Sequence, residues 1–77
     1  MFESADAQVD AKGLRCPMPL LKAKRALNGL SSGQSLAVTA TDAGSARDFA
    51  VFCEQSGHEL LGSDEHDGVY RYLLRKQ

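Results

Sequence analysis

The apolar residues that follow Cys16 recur at helical spacing, and this repeat is the strongest constraint on how the chain can fold. At about 100° per residue, one set of apolar side chains in and just after a predicted helix over residues 17–28 falls inside about 80° of arc. The set is Leu20, Ala23, Leu27 and Leu30. A helix with one apolar face must bury that face against another element. Gly29 is predicted to end the helix in the left-handed conformation.

The remaining segments predict four strands and a second helix. Strands are predicted over residues 8–11 and 35–41, the latter with alternating apolar and polar side chains, and a closing hairpin over residues 59–65 and 69–76. The types of Asp67 and Gly68 suit the positive φ of a hairpin turn. In the second helix, Ser45 is predicted to cap the N-terminus, with Asp48 reaching back to it, and Gly57 to end the helix. Its predicted apolar face is Ala46, Phe49, Ala50, Phe52 and Cys53.

The element order β-α-β-α-β-β predicts the architecture. A helix after each of the first two strands must cover one sheet face, so we expect an α+β two-layer sandwich, with a four-stranded mixed sheet and two helices on one face. The 77 residues suffice for a single domain over residues 1–77. Residues 1–7 are expected to form a disordered N-terminal extension.

Charge is unevenly distributed along the chain. Nine Lys and Arg against ten Asp and Glu give a net charge of −1, which argues against a strongly basic nucleic-acid or membrane-surface protein. Residues 11–30 nevertheless carry five basic residues and no acid: Lys12, Arg15, Lys22, Lys24 and Arg25. An electropositive face is therefore expected, and an acidic protein partner would suit it.

A noncatalytic RNA-binding module that uses this basic face is the alternative interpretation. Proteins that bind single strands stack bases on exposed rings, whereas this chain has no Trp and only 6% aromatic residues. Direct nucleic-acid binding is therefore not expected.

The hydropathy of the chain predicts its compartment. The sequence has neither the pattern of a signal peptide at its start nor the roughly 18 consecutive apolar residues of a membrane span. We expect a cytoplasmic protein without a membrane partner, and hence two free thiols, Cys16 and Cys53.

The two cysteines have different predicted roles. Cys53 falls within the apolar face of the second helix, where a thiol packs as a small apolar group. Cys16 falls at the turn where the first helix begins. Pro17 suits the first helical position and Pro19 the first turn, where amides have no intrahelical partner. The helix dipole, with Arg15 and Lys12 nearby, is expected to favour the Cys16 thiolate.

Several chemistries are excluded for Cys16, although a small filler residue at this turn stays an open alternative. The chain has no Cys-x-x-Cys pair, so no resolving thiol is near. Its two histidines, His58 and His66, are predicted away from Cys16, and no ligand pair has the spacing of a structural zinc site. No metal or cofactor is therefore expected. A covalent group carrier, which hands its cargo to another protein, remains.

A docking surface is predicted beside Cys16. Met18, Leu21 and Arg25 lie at i, i+3 and i+7, away from the core face of the first helix, and would form an apolar and basic strip. Incidental exposure of two apolar side chains is the alternative. Lys12 and Lys22 are included as candidate docking residues because of their charge.

Four segments together resemble one family. "LRCPMPLLKAKRAL", "TDAGSARDF", "FCEQSGHEL" and "YRYLLRK" are similar in order and spacing to the TusA/SirA family of small sulfur-carrier proteins, with the Cys-Pro-x-Pro motif as the most specific element. The resemblance implies the β-α-β-α-β-β fold, a persulfide on Cys16, and a loop shaped by Pro17 and Pro19. Asp42, Arg47 and Asp48 are the matching polar residues of the second segment, with a structural or docking role. Met18 stands where many relatives have an acid.

The resemblance also implies a pathway. TusA-like proteins act as sulfurtransferases that depend on protein partners. They accept sulfane sulfur from a cysteine desulfurase and pass it to a relay protein, toward 2-thiolation of the tRNA wobble uridine, while relatives serve molybdenum-cofactor synthesis or sulfur oxidation. A carrier that hands on a small cargo suits a monomer.

Overall fold

The computed structural model describes residues 2–77 and confirms the predicted order of helices and strands. A short 3-10 helix, Phe2–Ser4, precedes the main elements. These are β1 (Ala7–Ala11), α1 (Met18–Asn28), β2 (Ser35–Ala40), α2 (Ser45–Ser56), β3 (Glu59–His66) and β4 (Val69–Arg75).

The four strands form one mixed sheet in the order β1-β2-β4-β3. β1 and β2 are parallel, with Ala7 opposite Leu36 and Ala11 opposite Ala40, and α1 is the crossover that a parallel pair requires. β4 is antiparallel to both β2 and β3. Since α1 packs on β1 and β2 while α2 packs on β3 and β4, the predicted two-layer arrangement is confirmed.

The core lies between the helices and the sheet. Its largest members are Tyr72, Phe49, Leu27, Leu36 and Leu74, all nearly inaccessible to solvent. The rings of Phe49 and Tyr72 stack, with centroids 4.5 Å apart. Cys53 is buried and unpaired, as predicted.

Two details of α1 differ from prediction. The helix begins at Met18, so Pro17 is the residue before the first turn and Pro19 is the second helical residue. Gly29 has φ −89°, in the right-handed region. It needs no left-handed conformation because the chain continues as a tight turn, in which Leu30 N–H donates to the Leu27 carbonyl at 3.0 Å. Gly57, by contrast, has φ 85° and ends α2 as predicted.

The predicted cap of α2 is wrong. Gly44 precedes the helix, and Ser45 is its first residue, 1% exposed. The Ser45 hydroxyl donates to the Asp42 carbonyl at 2.7 Å and lies 2.6 Å from the Tyr72 hydroxyl. The buried face of α2 is consequently Ser45, Phe49 and Cys53, while the predicted members Ala46 and Ala50 are exposed.

The two ends of the chain also differ in detail from the predictions. Met1 lies outside the described residues. In the segment expected to be a disordered extension, Phe2–Ser4 form the 3-10 helix, the centroid of the Phe2 ring lies 4.3 Å from the Arg71 guanidinium, and β1 begins at Ala7. The hairpin turn is confirmed, with positive φ at Asp67 and Gly68. A β-bulge in β3 beside Gly62 was not predicted.

Candidate functional site

Cys16 lies in the loop between β1 and α1, at the carboxyl end of the parallel pair. The loop is tied to the residue that follows β2, since the Gly13 N–H donates to Thr41 Oγ1 at 2.9 Å. A turn then encloses Cys16, since Met18 N–H donates to the Arg15 carbonyl at 2.8 Å. The Cys16–Pro17 peptide bond is cis. The thiol is exposed on this turn.

The loop after β2 reaches the same edge of the sheet and packs beside Cys16. Because β1 and β2 are parallel neighbours, the loops that follow them lie close together. A Cβ added at Gly44 would lie 3.0 Å from Asp42 Oδ2 and 3.9 Å from Cys16 Cβ. Asp42 shapes this loop, because its carboxylate accepts the Gly44 N–H at 3.1 Å.

Asp48 contacts the thiol directly. From the first turn of α2 it accepts a hydrogen bond from Cys16 Sγ, at 2.6 Å from Oδ2. This bond raises the pKa of Cys16 above its ordinary value, and partial desolvation and the negative charges of Asp48 and Asp42 raise the pKa further. A carboxylate accepts a hydrogen bond from a protonated thiol and repels a thiolate. The surroundings of Cys16 therefore favour its thiol form.

This acidic setting overturns the expected stabilisation of the thiolate. Arg15 and Lys12 are exposed loop residues, and among the charges of residues 2–77 the two that act on the thiol are both acids. The expectation failed because it considered only neighbours along the chain. Asp48 is 32 positions away in sequence and reaches Cys16 through the parallel pairing of β1 and β2.

The predicted docking strip lines a groove along α1, which we call the outer groove. It has a volume of about 540 Å³ and is lined by Leu14, Met18, Leu21, Lys22, Arg25 and Ala26. Met18 and Leu21 are 46% and 47% exposed. The structure thus brings four candidate docking residues together, and adds Leu14 and Ala26, which the sequence reasoning missed. Leu14 precedes the helix, so the helical repeat of apolar residues could not indicate that it lines the groove.

A second groove runs between the two helices, and we call it the inner groove. It has a volume of about 400 Å³ and is lined by Leu20, Lys24, Arg47, Asp48, Val51, Phe52 and Gln55. Lys24 Nζ lies 5.3 Å from the centroid of the Phe52 ring. The expected basic face is therefore divided, with Lys22 and Arg25 in one groove and Lys24 in the other. Arg47 lies in the inner groove, whereas Lys12 lines neither groove.

Asp48 belongs to both the inner groove and the thiol site. It lines the groove and accepts the hydrogen bond of the Cys16 thiol, so this one side chain connects the groove with the thiol. Sequence reasoning assigned Asp48 to a helix cap, because Ser45 and Asp48 have cap spacing. The one sequence signal for the contact between Asp48 and Cys16 was the expected pairing of the first two strands as parallel neighbours. This pairing places the loops that follow the two strands at the same edge of the sheet.

Cys53 does not share this environment. It is buried in the core, and burial raises the pKa of its thiol. Within residues 2–77 no group of three or more His, Cys, Asp or Glu is arranged to hold a metal ion. The helices of the described chain are all too short or too polar to cross a bilayer.

Comparisons with known proteins agree with one another. The family model described as sulfurtransferase TusA matches residues 7–76. The sulfur carrier protein TusA of Allochromatium vinosum is 51% identical over 71 residues, which cover 92% of this chain and 93% of that protein. The crystal structure of a SirA-like protein from Desulfitobacterium hafniense superposes with a TM-score of 0.79 at 28% identity, covering 90% of this chain and 95% of that one.

Proposed function

Since the chain belongs to the TusA sulfurtransferase family, we propose that Cys16 holds sulfane sulfur as a persulfide and passes it between proteins. The observation that carries this proposal is the position of Cys16, an exposed thiol on a turn tied to the sheet. Pro17 stiffens the turn, Pro19 stiffens the first turn of α1 that follows it, and Arg15 closes the turn through its carbonyl. The second thiol, Cys53, is buried and takes no part.

The proposed transfer is a thiol exchange at sulfur. The Cys16 sulfur attacks the outer sulfur of a donor persulfide, and a new S–S bond forms as the donor's S–S bond breaks. The donor cysteine leaves as a thiolate with the bonding electron pair and takes up the proton that Cys16 has lost. No external oxidant or reductant is needed. The same step in the opposite sense unloads the carrier onto an acceptor cysteine.

The proposed partners are proteins. A cysteine desulfurase is the donor, and the acceptor is a relay protein, toward 2-thiolation of the tRNA wobble uridine or another sulfur-using pathway. The outer groove supports protein docking, since it combines exposed Met18 and Leu21 with Lys22 and Arg25. Electrostatic steering gives fast and transient encounters, as a relay requires. We place this exchange in the cytoplasm, with the carrier acting as a monomer.

The test is intact-mass spectrometry after incubation with a cysteine desulfurase and free cysteine. Wild type is expected to gain sulfur that a reductant removes. Cys16→Ser is expected to gain none, whereas the matched control Cys53→Ser loads normally and is only less stable. Sulfur on Cys53, or an unmodified wild type beside an active desulfurase, would refute the proposal.

A further inference from the structure

Two acidic side chains act on the Cys16 thiol, and in the described part of the chain the basic side chains near Asp48 do not pair with it. Asp48 Oδ2 accepts a hydrogen bond from Cys16 Sγ at 2.6 Å, and the negative charge of Asp42 also acts on the thiol. Lys24 and Arg47 line the inner groove with Asp48, yet neither forms an ion pair with Asp48 among residues 2–77. A carboxylate beside the reactive atom therefore faces a groove that a partner can enter.

We propose that Asp48 determines which partners can react with Cys16: its carboxylate holds the empty carrier as a thiol, and a partner that places a cation against Asp48 releases the sulfur for attack. Asp48 contacts the reacting atom, so it acts directly at the site. This inference rests on the proposed sulfur transfer and adds the chemistry of the partner surface, a Lys or Arg side chain beside the partner's own reactive sulfur.

Asp48 affects Cys16 differently with and without a cation bound to its carboxylate. While Asp48 is unpaired, it accepts a hydrogen bond from the protonated thiol and repels the thiolate, which is the nucleophilic form. A cation that binds Asp48 removes the hydrogen-bond acceptor and cancels its charge, so ionisation of Cys16 becomes easier. The proton ends on the thiolate that leaves the donor, and the exchange remains balanced. An anionic partner surface cannot neutralise Asp48, and both acids repel it.

The proposal predicts selectivity among small disulfides, which need no protein partner. Cystamine, hydroxyethyl disulfide and dithiodiglycolate carry cationic, neutral and anionic groups on similar short chains. Each reacts with the Cys16 thiolate, forming one S–S bond and releasing one thiolate. At about 4 Å in water, one unit charge changes the local concentration of a singly charged group about fivefold, up or down according to sign.

The experiment measures the rate ratio of cystamine to dithiodiglycolate at Cys16 by peptide-mapped mass spectrometry. Wild type is expected to prefer cystamine, and Asp48→Asn to lower that ratio by about 25-fold at low salt, as the product of the two fivefold effects. The matched control Glu54→Gln removes the same charge from an exposed site on α2 and is expected to keep the wild-type ratio. Because the ratio divides out any general change in thiol reactivity, it isolates the charge of Asp48.

A second measurement uses wild type alone, so that the test does not depend on one variant folding correctly. Raising the salt from about 0.01 M to about 1 M shortens the screening length from about 30 Å to about 3 Å and is expected to reduce the ratio. An unchanged ratio in Asp48→Asn, or an equal loss in Glu54→Gln, would overturn the proposal. No desulfurase is present, so this outcome is independent of the loading assay and of the proposed function.

Discussion

The buried hydroxyl pair of Ser45 and Tyr72 gives a prediction in which two similar deletions have unequal costs. Ser45 is 1% and Tyr72 2% exposed, and their oxygens lie 2.6 Å apart. Because Ser45 Oγ donates its hydrogen to the Asp42 carbonyl at 2.7 Å, the hydrogen of the shared bond must come from Tyr72. Ser45 is thus an acceptor and a donor, whereas Tyr72 is only a donor.

This arrangement sets the free energies of unfolding of the variants. Tyr72→Phe removes one hydrogen bond and leaves Ser45 still bonded to Asp42, so a loss of about 1 kcal/mol is expected. Ser45→Ala removes both bonds and leaves the Tyr72 hydroxyl buried without an acceptor, so a loss of about 2–3 kcal/mol is expected. The double variant leaves no orphan hydroxyl and should be more stable than Ser45→Ala alone, which a double-mutant cycle measures.

Urea unfolding at equilibrium measures these differences. For a domain of this size, 1 kcal/mol corresponds to about 4–8 °C in Tm, so the thermal midpoints of the two single variants should also be distinguishable. Equal losses in Ser45→Ala and Tyr72→Phe would refute the assigned hydrogen directions. A double variant less stable than Ser45→Ala would refute the claim that the orphan hydroxyl causes the larger loss.

The remaining predictions concern the Cys16 thiol, the core and the outer groove. The rate of Cys16 alkylation should rise with pH around a midpoint above that of an ordinary thiol, because the Asp48 hydrogen bond and partial desolvation raise the pKa of Cys16. Asp48→Asn should lower this midpoint, and an unchanged midpoint in a pH series would contradict this cause. Leu27→Ala in the core should lower the free energy of unfolding by about 2–5 kcal/mol, as measured in urea. Leu21, which is 47% exposed, should behave differently: Leu21→Ala should change stability by less than about 0.5 kcal/mol but slow sulfur loading. Equal loading rates for Leu21→Ala and wild type would show that the outer groove is not a docking surface.

Much of the fold could be predicted because its signals are local. The apolar repeat with Ala23 and Leu27 identifies the buried face of α1 from one stretch of chain, and alternation does the same for β2. Asp67 and Gly68 indicate the hairpin turn by their own conformational preferences. The end of α1 before Gly29 was predicted correctly, but the left-handed conformation predicted for Gly29 was wrong, because a glycine after a helix is permitted, but not obliged, to adopt positive φ.

The site could be predicted only in part, because its chemistry depends on contacts between distant segments. Cys16 was identified from its turn and its motif, but its acid neighbours come from the loop after β2 and the first turn of α2. Ser45 and Asp48 have the spacing of a helix cap, yet each has a better partner outside the helix: Tyr72 for one and Cys16 for the other. Tertiary contacts override such local patterns where strands bring loops together.

The burial of Cys53 affects how long the proposed cargo would survive between partners. A second accessible thiol could attack Cys16 Sγ, form a disulfide within the chain and expel the carried sulfur as hydrogen sulfide. Cys53 is 6% exposed in the core, and burial also holds its thiol in the protonated, unreactive form. A loaded carrier therefore has no self-discharge route through its own second cysteine while it stays folded. Its lifetime depends on encounters with outside thiols, and partial unfolding would shorten it.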